Sequence, residues 1–282
     1  MNRRKPFLPA LGFFLAVLFA NKLLLEQSRT PVLHVFVALA DNQHQGIIPV
    51  PARLGNGRDP ANNLYWGAAF GVKSFFRASP DWRHLTCAPG PQPVVLERCV
   101  FYHHDPDAIL VADAYDGVKT RETVSDFVSS GAALRQETLS VRLDNKRMSF
   151  AIAGDADLLA YVGYDAFMDF QIPPVHGKPG VHQRHFIVLA CASKRYFARY
   201  MRDTHSEPLL WTTGLMAPEA YTLKAALDGW LHSETGDASR QRAAAYDKYQ
   251  NVACMRPNAS SPLAGNLDGS RAESYRLMTN GW

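Results

Sequence analysis

The sequence predicts an α/β domain whose mainly parallel sheet is covered by helices, and three observations predict it. Apolar runs of strand length recur along the chain, each is apolar almost throughout, and segments of helical periodicity separate them. Unbroken apolar runs are how strands buried on both faces read, and helix coverage of a parallel sheet produces that burial. Alternation of strand and helix completes the α/β signature. The expected architecture is a three-layer sandwich around a sheet of about five to six strands.

Strands are expected at Val32–Ala40, Ala108–Ala112, Leu158–Gly163, His185–Ala190 and Leu209–Thr212, with Val94–Tyr102 as an edge strand or hairpin. Asp59-Pro60 supplies a cap and a first-turn proline for a helix that puts Leu64, Ala68, Val72 and Phe75 on one face. Thr120 is expected to cap a helix through Val128. Ser193 is expected to cap Lys194–Asp203, with Phe197, Tyr200 and Met201 as its inner stripe. Pro218 opens a further helix facing Leu223, Ala226, Leu227 and Trp230 inward, and Ala238–Tyr249 forms the last. No internal repeat is present.

The 282 residues are 47% hydrophobic and 20% charged, enough apolar material for one large core. No Pro/Ser/Gly-rich linker divides the middle, so residues 31–255 read as a single domain. From Arg256 onward Pro, Asn, Ser and Gly dominate, and residues 256–282 read as a loosely ordered tail. The net charge of +4 is small and its basic residues are scattered, which argues against a nucleic-acid partner.

Residues 1–30 carry the clearest single signal. Arg3-Arg4-Lys5 precede an apolar run from Phe7 to Ala20, the pattern of a secretory signal peptide. The run is short for a membrane span, but Leu23-Leu24-Leu25 would extend it into an uncleaved anchor covering residues 7–25. Both readings place the domain outside the cytoplasm, in the periplasm or secreted, with any membrane contact made only through this segment. Four cysteines agree with export. Cys87 and Cys99 flank a Pro/Gly-rich loop that a disulfide would close. No C-x-x-C pair or Cys/His spacing matches a zinc site, and no metal is expected.

In open α/β sheets, ligands bind outside the carboxyl ends of the strands. Those ends are Ala40-Asp41-Asn42, Asp113-Ala114-Tyr115-Asp116, Gly163-Tyr164-Asp165 and Ala190-Cys191-Ala192-Ser193. Cys191 ends the most apolar strand and precedes a helix start, where backbone N–H groups would favour a thiolate. That is the setting of a cysteine nucleophile, although a lone cysteine is also a small buried hydrophobe. Asp41, Asn42, Asp113 and Asp116 would converge to hold a cation or a basic side chain, or would cap loops as Asx turns, the blander and preferred account. Asp165 and Ser193 join them as candidate ligand contacts. Leu54–Pro60 has two glycines but neither a P-loop nor a G-x-G-x-x-G fingerprint, so no nucleotide cofactor is expected, and Arg58 remains an anion contact. His103-His104 point to opposite sides of an extended chain and do not readily share one metal.

The element order, with a fourth strand ending in Ala190-Cys191, resembles the caspase- and legumain-type cysteine peptidases. Runs such as Asn63-Leu64-Tyr65-Trp66-Gly67 and Leu189-Ala190-Cys191-Ala192-Ser193-Lys194 also resemble a group of exported bacterial proteins with no assigned activity. The peptidase resemblance spans about Val32 to Leu231. It implies a caspase-like fold, a nucleophile at Cys191 and a base from a His-Gly pair after the third strand. This chain has Gly163-Tyr164-Asp165-Ala166 there. Tyrosine, with a free pKa of about 10, is a poor base near neutrality. His176-Gly177, the only His-Gly pair, lies in a loop 15 positions before Cys191 and is the other candidate base. The residues support two functions. One is a cysteine-dependent hydrolase or its inactive relative, acting on a peptide or protein. The other is a non-catalytic envelope binding or scaffold protein.

Overall fold

The computed structural model describes residues 29–177, 184–204, 206–216 and 218–246, with side chains to residue 243. The expected signal or anchor and the tail at 256–282 lie outside the described residues. The chain divides into Met1–Pro31 and Val32–Trp282, and the second unit holds the whole sheet and its helices.

The protein is α/β, built on a mixed, mainly parallel sheet of seven strands in the order β2-β3-β4-β1-β7-β8-β9. Five strands are parallel: β4 (Asp107–Tyr115), β1 (Val32–Ala38), β7 (Leu158–Val162), β8 (His185–Leu189) and β9 (Glu207–Trp211). Two antiparallel strands, β2 (Trp82–Ala88) and β3 (Val95–His104), extend the β4 side. The sheet therefore exceeds the five to six strands expected, and the segment anticipated as an edge strand or hairpin near Val94 is the second strand of a hairpin, with β2 as the edge. A separate hairpin pairs β5 (Gln136–Leu143) with β6 (Lys146–Ala153).

The parallel strands are apolar throughout because both sides are packed. Val35, Val37, Leu110, Leu159, Val162, Val188 and Leu189 are all fully buried. Alternate residues of β1 enter different core clusters. Leu33, Val35 and Val37 pack with α1 (Val72–Ala78) and α4 (Ala220–Leu231). Val32, Phe36 and Ala38 pack with α2 (Thr120–Gly131), α3 (Ser193–Arg202) and the β5–β6 hairpin. A last helix, α5, covers Gly236–Tyr246. Among the described residues, no helix is long and apolar enough to cross a membrane.

Four helix expectations are corrected, the first being Thr120, which is the first residue of α2 while Lys119 holds the cap position. Residues from Asp59 to Gly71 form successive turns, and the helix begins only at Val72. The fully buried Asn63 is the cause: its side chain exchanges hydrogen bonds with the backbone of Ala40 at 2.8 and 3.0 Å, pinning the segment to the end of β1. Pro218 precedes α4 rather than starting it, and Glu219 is the N-cap residue. Ser193 is the first residue of α3, and the cap position belongs to Ala192 in a left-handed conformation (φ 49°).

The two halves of the sheet are joined by an ionic network. Arg98 of β3 grips Asp113 of β4 through Nε and Nη2, both at 2.6 Å. The backbone N–H of Ala153 donates to His34 Nδ1 at 3.1 Å, so the ring proton sits on Nε2 and is donated to Asp113 at 3.0 Å. Arg98 also pairs with Glu137 of the hairpin. Burial pushes the Asp113 carboxyl up, but the Arg98 and His34 hydrogen bonds outweigh it and hold the pKa at about 2. Asp113 therefore lies inside β4 and is fully buried, not at a strand end facing a ligand.

Candidate functional site

The carboxyl edge of the parallel strands does hold a cleft, of about 300 Å³, within the range of small-ligand sites. Strand register builds it. Val162 of β7 pairs with Leu189 of β8, so Tyr164 and Cys191, each two residues further on, emerge beside one another and line the same cleft. Gly163 lies between them and the sheet with φ +149°, its α-carbon so near Ala38 that an added Cβ would stand 2.7 Å from the Ala38 carbonyl oxygen. The loop after β1 contributes Ile47, Ile48, Val50 and Leu54 to its lining, and Leu215, Met216, Pro218 and Glu219 complete it.

Tyr164 is held as a hydrogen-bond donor. Its hydroxyl donates to Asp169 Oδ2 at 2.8 Å and accepts from the Gly46 backbone N–H. Burial, reinforced by the Asp169 carboxylate, pushes its pKa well above the ordinary phenol value. Gly46 is required there, because a Cβ would lie 2.6 Å from the Tyr164 oxygen. A phenol kept protonated in this way does not serve as a base near neutrality.

Cys191 is half-buried, with its sulfur against the backbone of Met216: Sγ to the carbonyl oxygen at 3.4 Å and to the N–H at 3.5 Å. The helix-start amides expected to favour its thiolate point elsewhere. Ala192 N–H donates to Gly214 O at 2.8 Å, Ser193 N–H to Thr212 Oγ1 at 3.2 Å, and Lys194 N–H to Thr212 O at 3.0 Å. The fully buried Ser193 hydroxyl donates to Val188 O at 2.9 Å and accepts from Thr212 N–H. Ser193 is thus a staple between the β8–α3 turn and the end of β9, not a ligand contact.

The remaining predicted residues divide clearly. His176 is exposed, and the adjacent Gly177 N–H donates to the carbonyl of Asp203, the C-cap of α3. Cys191 precedes the other end of that ten-residue helix, about 15 Å away. His176 is therefore displaced from the thiol, and among the described residues no histidine lines the cleft. Asp41 caps its own loop, accepting from Gln43 and His44 N–H at 2.8 and 2.9 Å and from the His44 ring at 2.8 Å. Burial raises its pKa, but these donors outweigh it and leave the value lowered. Asn42 exchanges two hydrogen bonds with Val50. Asp116 accepts from Val118 N–H at 2.9 Å and from the exposed Arg58 at 3.2 Å. These acids and Arg58 hold loops rather than converging on one ligand.

Asp165 is fully buried, with Oδ1 accepting from Phe167 N–H at 3.2 Å and Oδ2 lacking a hydrogen-bond partner. Burial pushes its pKa up to about 7. Sequence reasoning missed Glu219, which lines the cleft as the N-cap residue of α4 and accepts from Tyr221 Oη at 2.6 Å. Its burial raises the pKa above the ordinary carboxylate value. Also missed was the rim. Of five exposed large hydrophobic side chains among the described residues, Ile48 (49%), Leu215 (49%) and Met168 (38%) all border this cleft. No protein-family model, curated protein or solved structure matches the chain.

Proposed function

We propose that the carboxyl-edge cleft binds an apolar segment of a peptide or protein without cleaving it, on a caspase-like three-layer domain placed outside the cytoplasm. The observation that carries the reading is the cleft itself: an apolar interior whose rim adds Ile48, Met168 and Leu215 in the open. Exposed apolar side chains grouped around a concavity mark an interaction site. The polar groups inside, Tyr164, Cys191 and Glu219, are few, as in sites that fix a ligand's orientation. Helices packed on both side-chain sets of the sheet support the layered architecture. The strand order β4-β1-β7-β8-β9, which juxtaposes the ends of β7 and β8, supports the caspase-like reading. The Cys87–Cys99 disulfide supports export.

Against hydrolysis stand the protonated Tyr164 and the amides after Cys191, which bond to Gly214 and Thr212 rather than turning to the sulfur. The test measures Cys191 modification by a maleimide in the presence of peptides rich in Leu, Met or Phe, with mass spectrometry of the same peptides. Saturable protection that disappears in Leu215→Asp, with every peptide intact, is the expected result. A cleaved peptide, with cleavage lost in Cys191→Ser, would restore the peptidase reading. No protection by any peptide would remove the binding reading.

A further inference from the structure

The antiparallel edge of the sheet carries a second cysteine chemistry, unrelated to the cleft. Cys87 of β2 and Cys99 of β3 stand directly opposite one another and are joined as a disulfide, with α-carbons 4.1 Å apart. His84 Nε2 lies 3.1 Å from Cys87 Sγ. In a regular strand, residues three apart face opposite sides. Here the register shifts between His84, paired with Phe101, and Thr86, paired with Val100. Leu85 is the additional residue of a β-bulge, a device that re-aims a side chain, and it turns His84 onto the face of Cys87 and Cys99.

We propose that reduction of this disulfide creates a zinc site whose ligands are His84 Nε2, Cys87 Sγ and Cys99 Sγ, with a fourth position open to water. The three ligand atoms already lie within 4.8 Å of one another, and among the described residues no other group of three does so. Zinc–nitrogen and zinc–sulfur bonds in tetrahedral geometry put the nitrogen about 3.6 Å from each sulfur and the sulfurs about 3.8 Å apart. The ligands need only separate by small side-chain rotations to reach that geometry. Two thiolates and one imidazole balance the dication, and these are the ligand types zinc prefers. His84 and Cys87 are half-buried on the edge strand, which leaves the fourth position accessible, while Cys99 is fully buried. Lys73 and Arg77 of α1 and Glu97 of β3 are the charged groups acting on His84.

The chemistry balances with a dithiol as reductant. Its thiolate attacks Cys87 Sγ, the more accessible sulfur, and Cys99 leaves as a thiolate. The donor's second thiol then resolves the mixed disulfide, so the donor ends as a disulfide and the protein as two thiols. Zinc binding displaces both thiol protons to solvent.

The test uses the full chain with Cys191→Ser and Cys254→Ser, reduced by a phosphine under inert gas and titrated with cobalt(II), then zinc(II). One equivalent of cobalt should bind with a thiolate charge-transfer absorption that zinc abolishes, and the oxidised protein should show none. His84→Ala should weaken binding at least tenfold. Its oxidised form should keep the wild-type circular dichroism, which separates ligand loss from misfolding. Zinc should also raise the melting temperature of the reduced protein alone. The proposal is overturned if the reduced protein gives no charge-transfer band, if His84→Ala binds as tightly, if the oxidised form binds equally, or if zinc does not stabilise the reduced fold.

Discussion

The parallel and antiparallel halves of this sheet each present cysteine sulfur, in opposite chemical surroundings. Cys191 closes a parallel strand inside an apolar cleft, against the Met216 backbone, with the neighbouring amides engaged by Thr212 and Gly214. Cys87 and Cys99 lie across an antiparallel pair beside an imidazole, with Lys73 and Arg77 acting on that ring. Position at a strand end directs attention to the first. The second has a histidine ring nitrogen 3.1 Å from its sulfur. Placement at the edge where α/β folds bind ligands says where a molecule can sit, not what the nearest sulfur can do to it.

The largest effect should come from the seam between the halves. Asp113 is held by Arg98 from the antiparallel side and His34 from the parallel side. Removing it leaves the buried Arg98 guanidinium with Glu137 alone, so Asp113→Ala should lose about 3–5 kcal/mol in urea denaturation. A loss below about 1 kcal/mol would mean that the β3–β4 ladder and packing join the halves without it. The sign of the pH dependence comes from the depressed carboxyl, about 2 in the folded state against 3.8 unperturbed. Its contribution is complete above about pH 4 and is lost as pH falls towards 2. The Asp113→Asn stability curve should lack that acidic limb.

Next comes the disulfide. It closes a separation of 12 residues, and replacing both cysteines by alanine should cost about 2–3 kcal/mol in the oxidised protein. Cys191→Ser, by contrast, should change stability by less than about 1 kcal/mol, since serine keeps nearly the same size and the contacts with the Met216 backbone are long, at 3.4 and 3.5 Å. Equal losses at the two sites would erase the contrast between a cross-linked edge and a replaceable cleft thiol.

The parallel core was legible because burial on both sides leaves an unbroken apolar run, as in Phe186-Ile187-Val188-Leu189-Ala190. The meeting of Tyr164 with Cys191 was implied by the resemblance, in which the ends of the third and fourth strands adjoin. Other features answer to contacts distant in sequence. The helical spacing after Asp59 loses to Asn63, whose amide is drawn to Ala40, 23 residues away. His84 joins Cys87 only through a bulge, which period-2 reasoning places on the wrong face. The β5–β6 hairpin had a local sign that went unread: Asp144-Asn145, both at positive φ, is a two-residue turn between strands. Ile47 and Ile48 lie in a loop without periodicity, so nothing in the sequence placed them at the cleft.

Asp165 gives a smaller effect with the reverse pH sign of Asp113. Its carboxyl is raised to about 7 from 3.8, so the folded state retains a proton that the unfolded state releases. Stability therefore falls as pH rises from about 4 through 7 and levels off above that. Asp165→Asn escapes the fall, which the linkage puts at ~4 kcal/mol, but buries a carboxamide N–H that costs about 1–3 kcal/mol. The net expectation at pH 8 is a gain of about 1–3 kcal/mol, turning to a loss at pH 4, read from thermal or urea denaturation at the two pH values. A variant less stable than wild type at pH 8 would show that the buried Oδ2 takes a partner when ionised.

The smallest effect belongs to Tyr164, and it bears most directly on the cleft thiol. Tyr164→Phe keeps the ring that packs in the core and removes the hydroxyl that donates to Asp169 and accepts from Gly46. One net hydrogen bond at a partly exposed site is worth about 0.5–1.5 kcal/mol. If Tyr164 acted as base to Cys191, losing its oxygen would slow alkylation of the thiol several-fold near neutrality. The geometry gives the opposite expectation: the phenol is held protonated and turned to Asp169, so iodoacetamide should modify Cys191 at the same rate in both proteins. Tyr164→His with Ala166→Gly supplies the base that the resembling peptidases place here, and it should move the labelling profile towards lower pH if the two strand ends are close enough to share a proton. Rapid labelling of wild type well below pH 7 would mean that another cationic group reaches the sulfur, and the separation drawn between the two halves of the sheet would fail at its carboxyl edge.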